Sequence, residues 1–285
     1  MKISIIIPAL NEGDSLKHLL PVLVSEYPNA EIIVVDDGST DATKEICTTQ
    51  SVICISHPYR KGNGAAIKTG VRTATGQMFV FMDADGQHDP KKISGMLKKI
   101  DEGFDMVVGA RSASSQASVG RLCANTLYNW FASFMVGQKI EDLTSGFRAV
   151  RAENFKKFLY LLPNGFSYPT TCTMAFFRSG YSVGYIPIEA NKRIGKSHIK
   201  LLKDGIRFLL ILFKIGTLYS PLKIFFPLSL ISLLTGMLYY VYTFMTMGRF
   251  TNMSALLFTT SVTIFLMGLI SEQITSLLYS KAGDN

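Results

Sequence analysis

Between Phe225 and Met247 the chain runs for 23 residues without a charged side chain. At about 1.5 Å per residue, a helix of that length crosses a hydrocarbon core of about 30 Å with some tilt. A second apolar run, Ala255 to Tyr279, begins after seven residues and carries a single charge, Glu272. Two spans joined so closely fold back as a hairpin with both ends on one side of a bilayer. One acid near a helix end can reach headgroups or the partner helix, so Glu272 does not indicate a channel.

The charge distribution sets the expected orientation. The chain has 285 residues and a formal charge of +8, yet from Pro221 onward its charged residues are only Lys223, Arg249, Lys281, Glu272 and Asp284. The basic excess belongs to the first three quarters, which the positive-inside bias places in the cytoplasm together with both chain ends. Charged residues are 18% of the sequence and hydrophobic ones 48%, which excludes disorder and fits an integral membrane protein. Cys47, Cys54, Cys123 and Cys172 show no paired spacing, so neither a zinc cluster nor a disulfide framework is expected. The apolar run in MKISIIIPALNE is too short for a signal peptide and reads as a first strand. From Ile199 to Leu218, Lys200, Lys203, Arg207 and Lys214 alternate with Leu201, Leu202, Ile206, Phe208 and Leu209. Such a helix suits the headgroup region; a core helix is the alternative, and the adjoining spans favour the interface. The expected organisation is a folded domain over 1–198, a juxtamembrane helix over 199–220 and the hairpin over 221–285. No basic stripe interleaved with stacking aromatics stands outside that helix, so nucleic acid is not an expected partner.

Ahead of the hairpin, short Ile- and Val-rich runs alternate with helical segments. The runs are Ile3–Ile7, Glu31–Val35, Val52–Ser56, Met78–Met82 and Met106–Val108; the helical patterns cover Ser15–Tyr27, Asp41–Thr49, Gly64–Thr73 and Pro90–Asp101. This is an α/β pattern with a mainly parallel sheet covered on both faces, and in such sheets ligands bind beyond the carboxyl ends of the strands. Three polar clusters fall there. Asp83-Ala84-Asp85-Gly86-Gln87 follows the fourth run, and its two carboxylates and amide oxygen suit magnesium or manganese that completes its shell with ligand phosphates. His88 beside them is expected to form local hydrogen bonds. Asp36 and Asp37 end the second run, where they can accept hydrogen bonds from a nucleobase or a ribose, with Pro8, Asn11 and Glu12 across from them. Thr40 or Asp41 is the expected cap of the next helix. Arg60-Lys61-Gly62-Asn63-Gly64 opens the third helix, where close backbone approach and the Lys61 charge suit an anion, although a plain flexible turn fits equally. The spacing is not that of a P-loop.

In this order, IIIPALNE, VVDDGSTDAT, KGNGAAIKTG and MDADGQHDP resemble the family 2 glycosyltransferases of the GT-A fold. DLTSGFRAVRA and KRIGKSHIK narrow the resemblance to the dolichol-phosphate mannose synthase and polyprenyl-phosphate hexosyltransferase branch, over roughly Met1 to Leu210. The resemblance implies a nucleotide-sugar-binding, Rossmann-like GT-A domain. It also implies inverting, metal-dependent hexose transfer from a UDP-glucose-like or GDP-mannose-like donor to a polyprenyl phosphate in the lipid bilayer. It assigns Asp83, Asp85 and Gln87 to Mg2+ or Mn2+. The nucleotide sugar falls to Pro8, Leu10, Glu12, Asp36, Asp37, Lys61, Asp83, Ala84, Lys192 and Arg193, and catalysis to Asp85, Arg111, Arg121, Asp142 and Ser145. Leu10 stands where the family commonly has an aromatic residue, and His198 where it has a lysine. Arg148 and Arg151 fit surface charges equally well and receive no role. A homo-oligomer is compatible, since similar enzymes form tetramers and hairpins can pack together. Transfer to a diacyl lipid or a polysaccharide is the alternative; against polymerisation, the sole tryptophan, Trp130, lies in YNWFAS and not in a QxxRW element. A nonenzymatic membrane scaffold would be expected to lose the acids of the metal site, and Asp83 and Asp85 are present.

Overall fold

A computed structural model describes residues 2–50, 52–112, 119–165, 167–189, 213 and 216–280, without the side chains of 119–124. These residues fall into two compact units, one drawn from Met1–Ser133 and Gln138–Ile199, the other from Phe134–Gly137 and Lys200–Asn285.

The first unit is built on strands β1 (Ile3–Ala9), β2 (Glu31–Asp36), β3 (Ile53–Ser56), β4 (Met78–Phe81), β5 (Met106–Arg111), β6 (Arg148–Arg151) and β7 (Val183–Ile188). Helices α1 (Gly13–Glu26), α2 (Thr43–Thr49), α3 (Asn63–Thr73) and α4 (Lys92–Asp101) connect the first five, and α5 (Val119–Val136), α6 (Ala152–Lys157) and α7 (Tyr168–Arg178) follow. The sheet order is β3-β2-β1-β4-β6-β5-β7. All neighbours are parallel except β6, which pairs antiparallel with β4 and with β5. Ile5 and Ile7 on one face of β1 and Ile6 on the other are all fully buried, as a strand covered by helices on both sides requires. Gly70 lets α3 settle on β1; a Cβ there would stand 2.4 Å from Ile6 Cγ2.

The pairing also explains a proline inside β1. Ile6 O accepts from Met82 N, so Pro8, two residues on, turns its missing N–H toward the same neighbour. The β1–β4 register ends at Ile6–Phe81, and no ladder bond is lost. The β1, β2 and β4 carboxyl ends therefore open side by side.

In the second unit, α8 (Leu222–Met247) and α9 (Asn252–Ser280) are long and apolar enough to cross a membrane. Gly248, at φ 63°, ends α8 and donates its N–H to Phe244 O, a left-handed cap that glycine forms without strain. The residues that α8 buries are Ser229, Gly236 and Thr243; those of α9 are Ser254, Ser261, Gly268 and Thr275. Each series repeats every seven residues, the period of a left-handed seam, and small side chains let the backbones approach. Ser261 Oγ donates to Ser229 O at 2.8 Å across it. Glu272 Oε2 accepts the N–H of Leu222 at 3.3 Å, placing a carboxylate at the start of α8. Residues 190–212, which hold Lys192, Arg193, His198 and most of the expected juxtamembrane helix, lie outside the described residues.

Candidate active site

A cleft of about 260 Å³ opens at the carboxyl edge of the sheet. Pro8, Ala9, Leu10 and Glu12 contribute one wall and Asp37 another; Arg60, Asn63 and Ala66 come from the start of α3, and Asp83, Ala84 and Asp85 from the end of β4. Most of the residues that sequence reasoning assigned to the donor meet here. Asp36, Lys61 and Gln87 are not part of the lining.

The loops that form this wall hold one another. Asn11 turns the chain out of β1 at φ 55°, and its Oδ1 accepts Thr40 N–H at 2.8 Å. Asp36 is buried and accepts the N–H of Ser39 at 2.8 Å, closing the β2 turn. Asp41 accepts from Thr43 N at 3.1 Å and Gly13 N at 3.0 Å, so it ties the first turns of α2 and α1 together. The Asp37 carboxylate accepts the backbone N–H groups of Lys61 (2.8 Å) and Gly62 (2.7 Å) and lies 2.7 Å from His57 Nδ1. His57, which no sequence motif marked, is itself held by Thr69 Oγ1 at 2.9 Å. The Lys61 ammonium lies over the Tyr59 ring, 5.8 Å from its centroid.

Among the described residues, Glu12, Asp37, Asp83 and Asp85 bring four carboxylates to the cleft against one guanidinium, Arg60. These groups together would repel a diphosphate unless it arrived with a cation. Asp83 and Asp85 supply hard oxygen donors of the kind magnesium and manganese take. Asp85 Oδ1 also accepts Gln87 N–H at 3.2 Å. Among the described residues no cluster of three His, Cys, Asp or Glu side chains could enclose a metal. Two carboxylates with substrate phosphates are a usual magnesium arrangement, so this donor set fits the group. His88 stays outside it: the ring stacks on Phe147 at 4.9 Å, and its Nδ1 accepts Asp83 N–H at 3.3 Å.

A second cavity of about 120 Å³ shares Asn63 and Asp83 with the cleft. Its other walls are Thr144 and Gly146 on one side and Gly165 and Ser167 to Pro169 on the other. Gly146 is required where it stands, because a Cβ would come within 2.6 Å of Asp83 Oδ2.

Beside it, Arg111 grips Asp142 in a bidentate pair, Nε to Oδ2 at 2.8 Å and one terminal nitrogen to Oδ1 at 3.0 Å, and the same nitrogen reaches Thr144 Oγ1 at 2.6 Å. Asp142 Oδ1 accepts the N–H groups of Thr144 and Ser145, both at 3.1 Å. Burial alone would raise the Asp142 carboxyl, but the Arg111 guanidinium and these N–H groups outweigh it and hold the group below its ordinary value. Ser145 is buried, and its hydroxyl has no hydrogen-bond partner among the described residues. Arg121 lies in α5, but its side chain is outside the described residues.

Residues 4–159, more than half of the chain, match the family described as Glycosyl transferase family 2. The chain belongs to the family 2 glycosyltransferases. Residues 220–277 match the GtrB C-terminal hairpin. The putative glycosyltransferase CsbB of Bacillus subtilis is 29% identical and aligns with 97% of this chain and 88% of its own. Polyprenol monophosphomannose synthase of Mycolicibacterium smegmatis is also 29% identical, over 66% of this chain and 77% of its own. Glucosyl-3-phosphoglycerate synthase from Mycobacterium tuberculosis, solved with Mn2+, uridine diphosphate and phosphoglyceric acid, superposes with a TM-score of 0.59 at 20% identity, over 74% of this chain and 78% of that one. At that identity the likeness is one of fold: the first unit of this glycosyltransferase is a GT-A α/β domain.

Proposed function

We propose that this glycosyltransferase transfers a hexose from a nucleotide sugar, UDP-glucose-like or GDP-mannose-like, to a polyprenyl phosphate at the cytoplasmic face of a membrane, inverting the anomeric carbon. The observation that carries the reading is the pair Asp83 and Asp85 at the end of β4, lining an acidic cleft in a chain that also holds an apolar hairpin. The relative named for polyprenol monophosphomannose synthesis supports the acceptor. Asp83 and Asp85, with Gln87 next to them in the turn, would hold Mg2+ or Mn2+. When bound, such a cation offsets the charge that gathers on the departing diphosphate.

The chain's own groups then bind and orient. Pro8, Leu10, Glu12 and Asp37 border the nucleoside, and the tied loops keep that wall fixed before the donor arrives. The acceptor phosphate oxygen forms its bond to the anomeric carbon as the bond to the diphosphate oxygen breaks, and the electron pair leaves with the diphosphate. The attacking oxygen is already anionic, so no strong general base is needed and alignment is the main task. Arg121, Lys192 and Arg193 would supply phosphate-directed charge, while Arg111 acts through its grip on Asp142 and Thr144.

The test is to incubate the purified protein in detergent with undecaprenyl phosphate, Mn2+ or Mg2+, and labelled UDP-glucose or GDP-mannose. Label is expected in the organic phase, abolished by a chelator and reduced on the order of 10²- to 10³-fold in Asp85→Ala, the range for removing one transition-state stabiliser. A polymer or a diacyl product would favour the alternative acceptors.

A further inference from the structure

We propose that His57, the residue that follows β3, is a positioning residue for the donor: it fixes the Asp37 carboxylate in the orientation that meets the nucleoside. This rests on the nucleotide-sugar reading of the cleft and is independent of the sugar and of the acceptor.

Asp37 is buried and yet lines the cleft. A carboxylate with so little access to water needs hydrogen bonds on its oxygens. Among the described residues, Lys61 N–H and His57 Nδ1 converge on Oδ1, and Gly62 N–H meets Oδ2. Oδ1 is thereby saturated. A carboxylate has about four acceptor positions, so the one left over lies on Oδ2 and is free to take a hydroxyl or an N–H of the nucleoside. Which way that position points depends on how the other oxygen is held.

The histidine is the donor that ties the carboxylate to the core of the sheet. Lys61 and Gly62 belong to the turn before α3, and Lys61 is exposed. His57 is buried, and its own N–H donates to Asp36 O at 2.8 Å, which continues the pairing of β3 with β2. Its Nε2 lies 2.9 Å from Thr69 Oγ1, on α3 beside the Gly70 that seats this helix on β1. The imidazole therefore spans from α3 to the last turn of β2, with Asp37 at one end of the ring.

The protons follow from the partners. The carboxylate accepts, so Nδ1 carries a proton. Nε2 then accepts from the Thr69 hydroxyl when the ring is neutral and donates to it when the ring is charged. Nδ1 donates to Asp37 in both states, and the tie does not depend on the charge of the ring. A bond of 2.7 Å to a carboxylate belongs to the stronger, charge-assisted class. Because its acceptor faces the cleft, loss of the imidazole is felt by the ligand and not by the fold alone.

The experiment measures binding, so it does not depend on turnover. Dissociation constants of UDP and GDP are determined on the full chain in detergent with Mn2+, below the melting temperature of every variant. His57→Asn puts an amide nitrogen where Nδ1 stands, and His57→Leu has nearly the same shape as that variant without a donor. Wild type is expected to bind at least one of the two nucleotides. His57→Leu should weaken it about ten- to hundredfold, the range for a lost hydrogen bond to a charged group, while His57→Asn should stay within about threefold of wild type. If His57→Leu does not fold, Thr69→Val, which removes only the far anchor of the ring, is read in its place and should weaken binding about three- to tenfold. A role in folding alone predicts lower melting temperatures with unchanged affinities. That result, or equal weakening in His57→Asn and His57→Leu, overturns the assignment. Binding of neither nucleotide by wild type overturns the donor reading, on which the assignment stands.

Discussion

At the scale of single residues, Asp142 and Arg111 show how a charge can serve a site by serving its loop. Removing one partner of a pair this buried leaves the other uncompensated, which costs about 3 kcal/mol. Asp142→Asn is expected to lower thermal stability by that order in a melting experiment. The pH dependence has a definite sign. The folded carboxyl sits below its ordinary value of 3.8, so the stability it contributes is complete above that value and is lost as pH falls through the folded one. Acid unfolding of the wild type below about pH 4 should therefore have a component that Asp142→Asn lacks. The resemblance assigned each of them to catalysis separately, but their pairing could not be read from the sequence, because they are 31 residues apart. Arg148 was obscured for a related reason. An arginine usually marks the surface, yet this one is fully buried, its terminal nitrogens donating to the carbonyls of Ser145 and Pro169 while its Nε has no partner among the described residues. Asp83 and Asp85 were legible because a strand end places consecutive polar residues at the ligand edge whatever the rest of the fold does.

At the scale of elements, the Ile- and Val-rich runs located β1 to β5 within one to three residues at their ends, since strands buried on both faces need continuous apolar sequence. The same rule hid β6. With arginines at both ends, Arg148 and Arg151, the strand offers only Ala149 and Val150 as an apolar signal, and its antiparallel insertion between β4 and β5 follows from long-range pairing. Two close approaches between elements yield predictions. At Gly64 a Cβ would stand 1.9 Å from Pro163 O, so Gly64→Ala must displace the loop that carries Gly165 away from α3. A loss of about 1–3 kcal/mol is expected in denaturant unfolding, typical of an overpacked contact. In the hairpin, a Cβ at Gly268 would lie 2.6 Å from Phe225 Cβ. Gly268→Leu should lower the unfolding temperature in micelles, whereas Leu266→Ala, at a half-exposed position beside it, should leave it nearly unchanged. Equal effects of the two would show that the seam does not hold the helices together.

At the scale of the whole molecule, the orientation that the proposed function requires starts from the short connection between α8 and α9. The two helices are separated by only Gly248, Arg249, Phe250 and Thr251, too few residues to return across a bilayer, so Leu222 and Ser280 emerge on the same side. Under the proposed function, that side is the one on which the donor is made. A nucleotide sugar carries a charged diphosphate and does not cross lipid unaided, and the basic excess of the sequence lies in the same part of the chain as the acidic cleft. If the proposed function holds, the positive-inside bias and the location of the donor favour the same arrangement, with Arg249 as the charge of the α8–α9 connection on the far side. Alkaline phosphatase inserted after Arg249 is therefore expected to be active in intact bacterial cells, while a green fluorescent protein fused after Asn285 is expected to fluoresce. The opposite pattern would put the cleft on the side without nucleotide sugars and would remove the basis for the proposed reaction, even with the fold and the carboxylates unchanged.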